Sequence, residues 1–204
     1  MWNKEEKSSD EPDEEDPALG DNNSNNQVVS VNNRIYFYSE VTRPKILDLN
    51  KRITALDIGL SNQINTLRLD ESSAKIRLHI NSYGGSVFAG LAAVDYIRNT
   101  KTPVASIIDG CAASAATLMS VVADERYMHE NSFMLIHQLS SASWGKYEEL
   151  RDDMKNNDLL MQTIKNIYLN HTKIPKKKLS ELLKRDLWWD SGTCLKYGLV
   201  DDIV

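Results

Sequence analysis

Ser114 lies in the stretch GCAASAATLMS, Gly110 to Ser120, where seven of eleven residues are Gly, Ala or Ser and none is charged. It falls where VASIID (Val104 to Asp109), read as a strand, has ended and SAATLMSVVA, read as a helix, begins. A hydroxyl at a helix start faces unpaired N–H groups that favour developing negative charge, which suits an acyl-transfer nucleophile. Such a serine needs backbone donors close to the substrate carbonyl, and the small side chains of Ala112, Ala113, Ala115 and Ala116 would leave that backbone accessible. The plainer reading is tight helix packing, with Ser114 serving only as a cap. A second small-residue turn, NSYGGS (Asn81 to Ser86), also ends a strand before a helix. Its adjacent glycines can turn N–H groups toward a ligand, so Gly84 or Gly85 could supply one oxyanion donor and Ala115 the other. Read by itself, the stretch is equally a plain glycine turn.

A serine nucleophile requires a base, and the chain has four histidines. His79 lies inside a strand, His129 in the turn MHENS, and His171 at a helix end. His137 ends the apolar run SFMLIH, so a rigid strand would deliver its imidazole to the end of the sheet, where pockets of open α/β folds form. A carboxylate should orient that ring. Asp186 and Asp190 in KRDLWWDSG, and Asp201 and Asp202 near the end, all qualify by position, and spacing alone does not choose among them. Trp188 and Trp189 would make the surroundings of Asp186 apolar and strengthen an ion pair there by excluding water.

The elements that must hold these residues alternate along the chain. RIYFYSE (Arg34 to Glu40) and KIRLHI (Lys75 to Ile80) read as strands, and SVFAGLAAVDYIRN as a helix with Val87, Leu91 and Val94 on one face. Strand followed by helix, three times over, predicts an α/β fold. Lys146 to about His171 reads as one long helix with Leu150, Met154, Met161, Ile164 and Tyr168 at near-heptad spacing, either packed on the core or projecting as an arm for self-association. A short helix opens near Pro175, and GLVDDIV closes the chain as a strand. Residues 1 to about 31 read as a disordered acidic tail, and residues 32–204 as one folded domain.

Composition excludes several classes. Met1 to Asp21 carries nine acids against Lys4 and Lys7, so of the net charge of −5 that segment holds −7 and the remainder is +2. A nearly neutral body offers no case for nucleic acid or an anionic membrane, and no apolar run is long enough to span a bilayer. No GxxxxGK[ST] is present, so ATP is not hydrolysed through a P-loop. Cys111 and Cys194 lack zinc-ligand spacing and read as free thiols in a reducing, cytoplasmic setting. No cofactor or metal is expected.

INSYGGSVFAG, DGCAASAA, MLIHQ and RDLWWDSGTCLKYGLVDDI, in that order, resemble the glycine turn, nucleophile turn, histidine strand and carboxylate segment of the Clp protease proteolytic subunit (ClpP) family of serine peptidases. The likeness runs from about Arg34 to Val204. It implies a crotonase-like fold of stacked β-β-α turns with a projecting handle helix. It implies Ser114 as nucleophile, His137 as base and Asp186 as orienting acid, since the family's aspartate follows an arginine and precedes a Tyr-Gly pair, here Tyr197-Gly198. It further implies heptameric rings stacked into a tetradecamer that encloses the sites. Unfolded polypeptide would bind there as an added strand, fed by an AAA+ Clp ATPase that alone uses ATP. Tyr83 stands where the family has proline, QLSSASWG replaces the usual QP after the histidine, and the acidic N-terminus is unlike the family's axial-loop segment. Phage-type relatives of the same fold, which cut capsid proteins without an unfoldase, are resembled as well. An acyl-CoA enzyme of this fold would use the same N–H pair on a thioester. A regulatory ring subunit would lack part of the triad.

Overall fold

The sheet follows from three strands that alternate more and less buried residues and a fourth that is buried on both faces through its first half. Strand β1 (Gln27–Val31) turns through Asn32, at φ +54, into β2 (Arg34–Tyr38) as an antiparallel hairpin. β2 lies parallel to β3 (Ile76–Ser82), which buries Ile76, Leu78 and Ile80 and leaves Arg77 and His79 on the other face. The computed structural model describes residues 27–68, 70 and 74–204. Within it β4 (Val104–Ala113) pairs with β3, and β5 (Glu125–Met128) with β4, both parallel. The resulting sheet runs β1-β2-β3-β4-β5-β8, with β8 at Asp202–Ile203. On a side branch β6 (Phe133–Leu135) pairs with β4 and with β7 (Trp188–Trp189).

Branching comes from one long strand that changes partner. Ala105 to Ile108 of β4 pair with β5, whereas Cys111 to Ala113 pair with β6. Between these halves the register against β3 shifts, and Gly110 adopts φ +81 with its N–H donated to Ser132 Oγ at 2.9 Å. A bulge of this kind bends a strand and re-aims its C-terminal end. That end delivers Ser114.

One face of the sheet is covered by α1 (Arg43–Leu67), α2 (Val87–Asn99) and α3 (Ala115–Val121). Ile46, Leu49 and Ile53 of α1, Ala93, Val94 and Ile97 of α2, and every residue of α3 are buried with Phe37, Leu78 and Ile108 of the strands. Gly90 of α2 packs against Ala115 so closely that an added Cβ would lie 3.1 Å from the Ala115 Cβ. The alanines around Ser114 therefore serve packing: Ala112, Ala113, Ala115 and Ala116 point into the core instead of opening the backbone to solvent.

The structure adds five elements to those legible in the sequence: β1, α1, β5, β7 and α6. β1 carries order back to Gln27, five residues into the stretch assigned to the tail, and the Asn32-Asn33 dipeptide between alternating residues is its hairpin signal. The tail reading for 1–26 lies outside the described residues. β4 runs four residues beyond the expected Asp109, and β6 stops at Leu135, two residues short of His137.

The long helix is α4 (Tyr147–His171), succeeded by α5 (Lys176–Leu182) and α6 (Ser191–Lys196). Only Ile164 and Tyr168, near its C-terminal end, are buried, while Leu150, Met154 and Leu159 stay exposed. No helix among the described residues is long and apolar enough to cross a membrane.

The buried Tyr168 hydroxyl lies 2.5 Å from Thr117 Oγ1 and joins α4 to α3. Tyr168→Phe should therefore lower the free energy of unfolding by about 1 kcal/mol in urea titration at fixed protein concentration, since a net buried hydrogen bond is worth roughly that much. An unchanged unfolding midpoint would show that this bond does not fix α4.

Candidate active site

Ser114 occupies the single residue between β4 and α3, with φ 55 and ψ −127. A positive φ is strained for a residue with a Cβ and persists only where surrounding bonds impose it. Here its N–H donates to Leu135 O at 2.9 Å, and its C=O accepts from Thr117 N at 3.0 Å and from Thr117 Oγ1 at 2.6 Å. Its hydroxyl makes no capping bond to the helix it precedes. The Ser114 side chain is thus not a helix cap, and its Oγ is left to the cleft it lines.

The glycine turn lies directly against it. A Cβ on Gly84 (φ +94) would sit 2.6 Å from Ala113 O and 2.7 Å from Ser114 Cβ, so only glycine fits. Gly85 (φ +144) is fixed from the other side by the segment between β2 and α1. Val41 N donates to Gly84 O at 2.7 Å, and Ser86 N to Val41 O at 2.8 Å. Gly84 N–H is committed to Ser82 Oγ at 3.1 Å, whereas the bridge to Val41 leaves Gly85 N–H aside. Ala115 is the first residue of α3, where a helix leaves the N–H without an internal acceptor. Gly85 and Ala115 both line the cleft.

His137 forms the opposite wall. Gln138 N donates to Leu183 O at 2.8 Å and ties its segment to the end of α5. The antiparallel register of β6 and β7, Met134 with Trp189 and Leu135 with Trp188, places His137 opposite Asp186 when carried two residues further. His137 Nδ1 stands 4.0 Å from Asp186 Oδ1, beyond hydrogen-bond length. Asp186 is not enclosed by the tryptophans as expected, because its side chain is 82% exposed. Trp189 instead stacks on Tyr197, and Trp188 meets the edge of Tyr83.

The other candidates lie away from the cleft. Asp190 caps α6, and its hydrogen bonds from Thr193 hold its carboxyl below the usual range. Asp201 is bound by the Arg126 guanidinium, which lowers it likewise, and Asp202 accepts from Ile203 N. His79 and His129 both contact Asp109, and burial together with Arg98 and Arg126 pushes His171 down. Burial raises both thiols, that of Cys194 to about 12. Among the described residues no group of three His, Cys, Asp or Glu is arranged to hold a metal.

The cleft between these walls has a volume of about 290 Å³. Beyond Ser114 and His137 it is mainly apolar, with Val87, Leu118, Leu139 and Ile164 on its sides and Tyr168 below. An open slot carrying a hydroxyl, an imidazole and two uncommitted backbone donors can accept a carbonyl compound and transfer its acyl group.

The family model described as Clp protease matches residues 30–204. The chain belongs to the Clp protease family. It is 32% identical over 173 residues to the ATP-dependent Clp protease proteolytic subunit of Deinococcus radiodurans, covering 82% of this chain and 83% of that one. To the protein of the same description from Cyanophora paradoxa it is 30% identical over 181 residues, 88% of each. The fold matches that of a ClpP1 point mutant from Listeria monocytogenes with a TM-score of 0.72 over 85% of this chain and 91% of that one, at 23% identity. The expected α/β fold and the expected Clp-type serine peptidase both stand at the level of this family.

Sequence reasoning brought Gly84, Gly85, Ser114, Ala115, His137 and Asp186 together, and five of them meet within or beside the cleft, with Asp186 on its outer side. It missed Val41, whose backbone holds the glycine turn, and Thr117 and Tyr168 beneath Ser114. Nothing local to Val41 signals that role, which arises only when β2 comes to lie beside β3.

Gly84→Ala should cost roughly 2–4 kcal/mol of stability, combining a positive φ with backbone overlap. Gly59→Ala, in α1 with nothing within 4 Å of the added Cβ, should stabilise by about 0.5–1 kcal/mol. Equal thermal shifts for the two variants would contradict the close approach of Gly84 to Ser114.

Proposed function

We propose that this protein is a serine endopeptidase that cleaves unfolded polypeptides through Ser114, His137 and Asp186. The observation that carries the reading is the uncommitted Ser114 hydroxyl, held at a strained strand-to-helix corner across one cleft from His137. Ser114 Oγ attacks the peptide carbonyl carbon while His137 takes its proton. With Nδ1 toward Asp186, Nε2 is the ring nitrogen that serves. Gly85 N–H and Ala115 N–H hold the oxyanion. The intermediate collapses as the imidazolium returns the proton to the departing amine. Water, deprotonated by the same ring, then releases the acyl group and restores Ser114. Asp186 orients the imidazole and stabilises its cation. Its exposure makes that contribution modest, because water screens the pair.

The substrate lies extended between the glycine turn and the residues after His137, where Leu139 and Ser140 complete the cleft wall. Trp144, Tyr147, Met154 and Leu159, exposed on and before the first half of α4, support self-association. The assembly we propose is two stacked heptameric rings enclosing the sites, supplied by an AAA+ unfoldase partner of the kind that the relatives' description as ATP-dependent implies.

Hydrolysis of a fluorescein-labelled unfolded polypeptide tests the chemistry. Ser114→Ala and His137→Ala should reduce cleavage to background, whereas Asp186→Asn should lose only about tenfold, as a charge pair at 4 Å near the surface permits. Cleavage by Ser114→Ala at the unmodified rate would refute the assignment. Native mass measurement tests the assembly, with a monomer as the contrary result.

A further inference from the structure

Tyr83 and Trp188 are large aromatic residues left outside both the core and the cleft. Tyr83 is 78% exposed and Trp188 43%, yet their rings meet edge to face with centroids 6.3 Å apart. Strand register places that contact. Ser82, the last residue of β3, pairs with Ala112, while Ala113, Leu135 and Trp188 form the next cross-strand row of β4, β6 and β7. Tyr83, directly after Ser82, reaches Trp188 across β4 and β6, and its hydroxyl lies within reach of the Cys111 thiol. Ser114 follows Ala113, with its N–H donated to Leu135 O. The ring pair therefore stands one row behind the proposed nucleophile.

The cleft runs the other way. Its walls are Gly85, Ser86 and Val87 on the glycine side and His137 to Ser140 on the histidine side, so both leave Ser114 in the direction of rising residue number. Tyr83 precedes the first wall, and Leu135, the partner of Trp188, precedes the second. A peptide whose reacting carbonyl faces Gly85 N–H and Ala115 N–H, with that residue's side chain among Leu118, Leu139 and Ile164, leaves the cleft on the side of Tyr83 and Trp188. One residue of extended chain spans about 3.3 Å, so the first residue after the scissile bond reaches the rings.

We propose that Tyr83 and Trp188 form a subsite for the residue on the amine side of the scissile bond and select an aromatic or large aliphatic side chain there. This subsite rests on the reading of Ser114 as a peptidase nucleophile and adds a substrate preference to it. An aromatic side chain laid against the exposed rings buries apolar area and gains edge-to-face or stacked contacts. Proline at this position, as in the pattern that the glycine turn resembles, presents no ring, so the preference belongs to this chain's own tyrosine.

Paired cleavage assays test it, with short internally quenched peptides that carry Leu before the scissile bond and either Phe or Gly after it, and with the products identified by mass spectrometry. The unmodified protein should favour Phe over Gly roughly tenfold or more in kcat/KM. Tyr83→Ser should bring that ratio close to one, and Tyr83→Phe should retain it. The preference for Leu over Gly before the bond should be the same in all three proteins. No preference for Phe in the unmodified protein, an unchanged ratio in Tyr83→Ser, or an equal loss on both peptides, as when Tyr83 only braces β7, would each overturn the subsite while leaving Ser114 as nucleophile. Failure of the unmodified protein to cleave either peptide would instead overturn the peptidase reading, and the subsite with it.

Discussion

The constraint on which the rest of the site depends is the approach of Gly84 to the backbone at Ser114. No side chain fits between them, and the two strand ends that meet there bring the glycine turn and the strained serine into one wall. That approach depends on β4 abandoning β5 for β6 at Gly110. Without the bulge, the strand would continue past β5 and Ser114 would emerge at another edge. Bonds to Leu135, to Thr117 and through Val41 then over-determine the corner, and such redundancy is what allows a positive φ at a residue with a side chain.

The chemistry proposed for this corner draws on backbone more than on charge. Ser114 Oγ, Gly85 N–H and Ala115 N–H owe their freedom to strand and helix termini, where polar groups have no regular partner. The carboxylate is the loosest member of the proposed site. Asp186 lies beyond the last paired residues of a two-residue strand, open to water, while Asp190 and Asp201 are each locked in structural bonds. The exposed apolar residues of α4 stand in the same relation to the fold: the isolated chain leaves them uncovered.

Much of this was legible because the signals were local. Val104 to Ser114 shows an apolar run, a glycine and a block of small residues, and the structure has a strand, a bulge and a tight helix start there. The small residues nonetheless misled about their cause. They are small because α3 packs on Gly84 and Gly90, and accessibility at Ser114 comes from strand geometry instead. Trp188 and Trp189 misled similarly, since Tyr83, which meets Trp188, is remote in sequence and Tyr197, which stacks on Trp189, lies across α6. Helix α1 escaped because its apolar residues are diluted by polar ones, although Pro44 and the spacing of Ile46, Leu49 and Ile53 mark its start and buried face. The cross-strand pairing of Arg34 with Arg77 is invisible until the register is known.

All of the site's geometry converges on one oxygen, so the decisive measurement is where an electrophile becomes attached. Tandem mass spectrometry of peptides from the protein treated with a fluorophosphonate should find one adduct, on Ser114, formed only while the protein is folded. An adduct on another hydroxyl, or equal labelling of the denatured chain, would contradict a nucleophile made by the corner between β4 and α3.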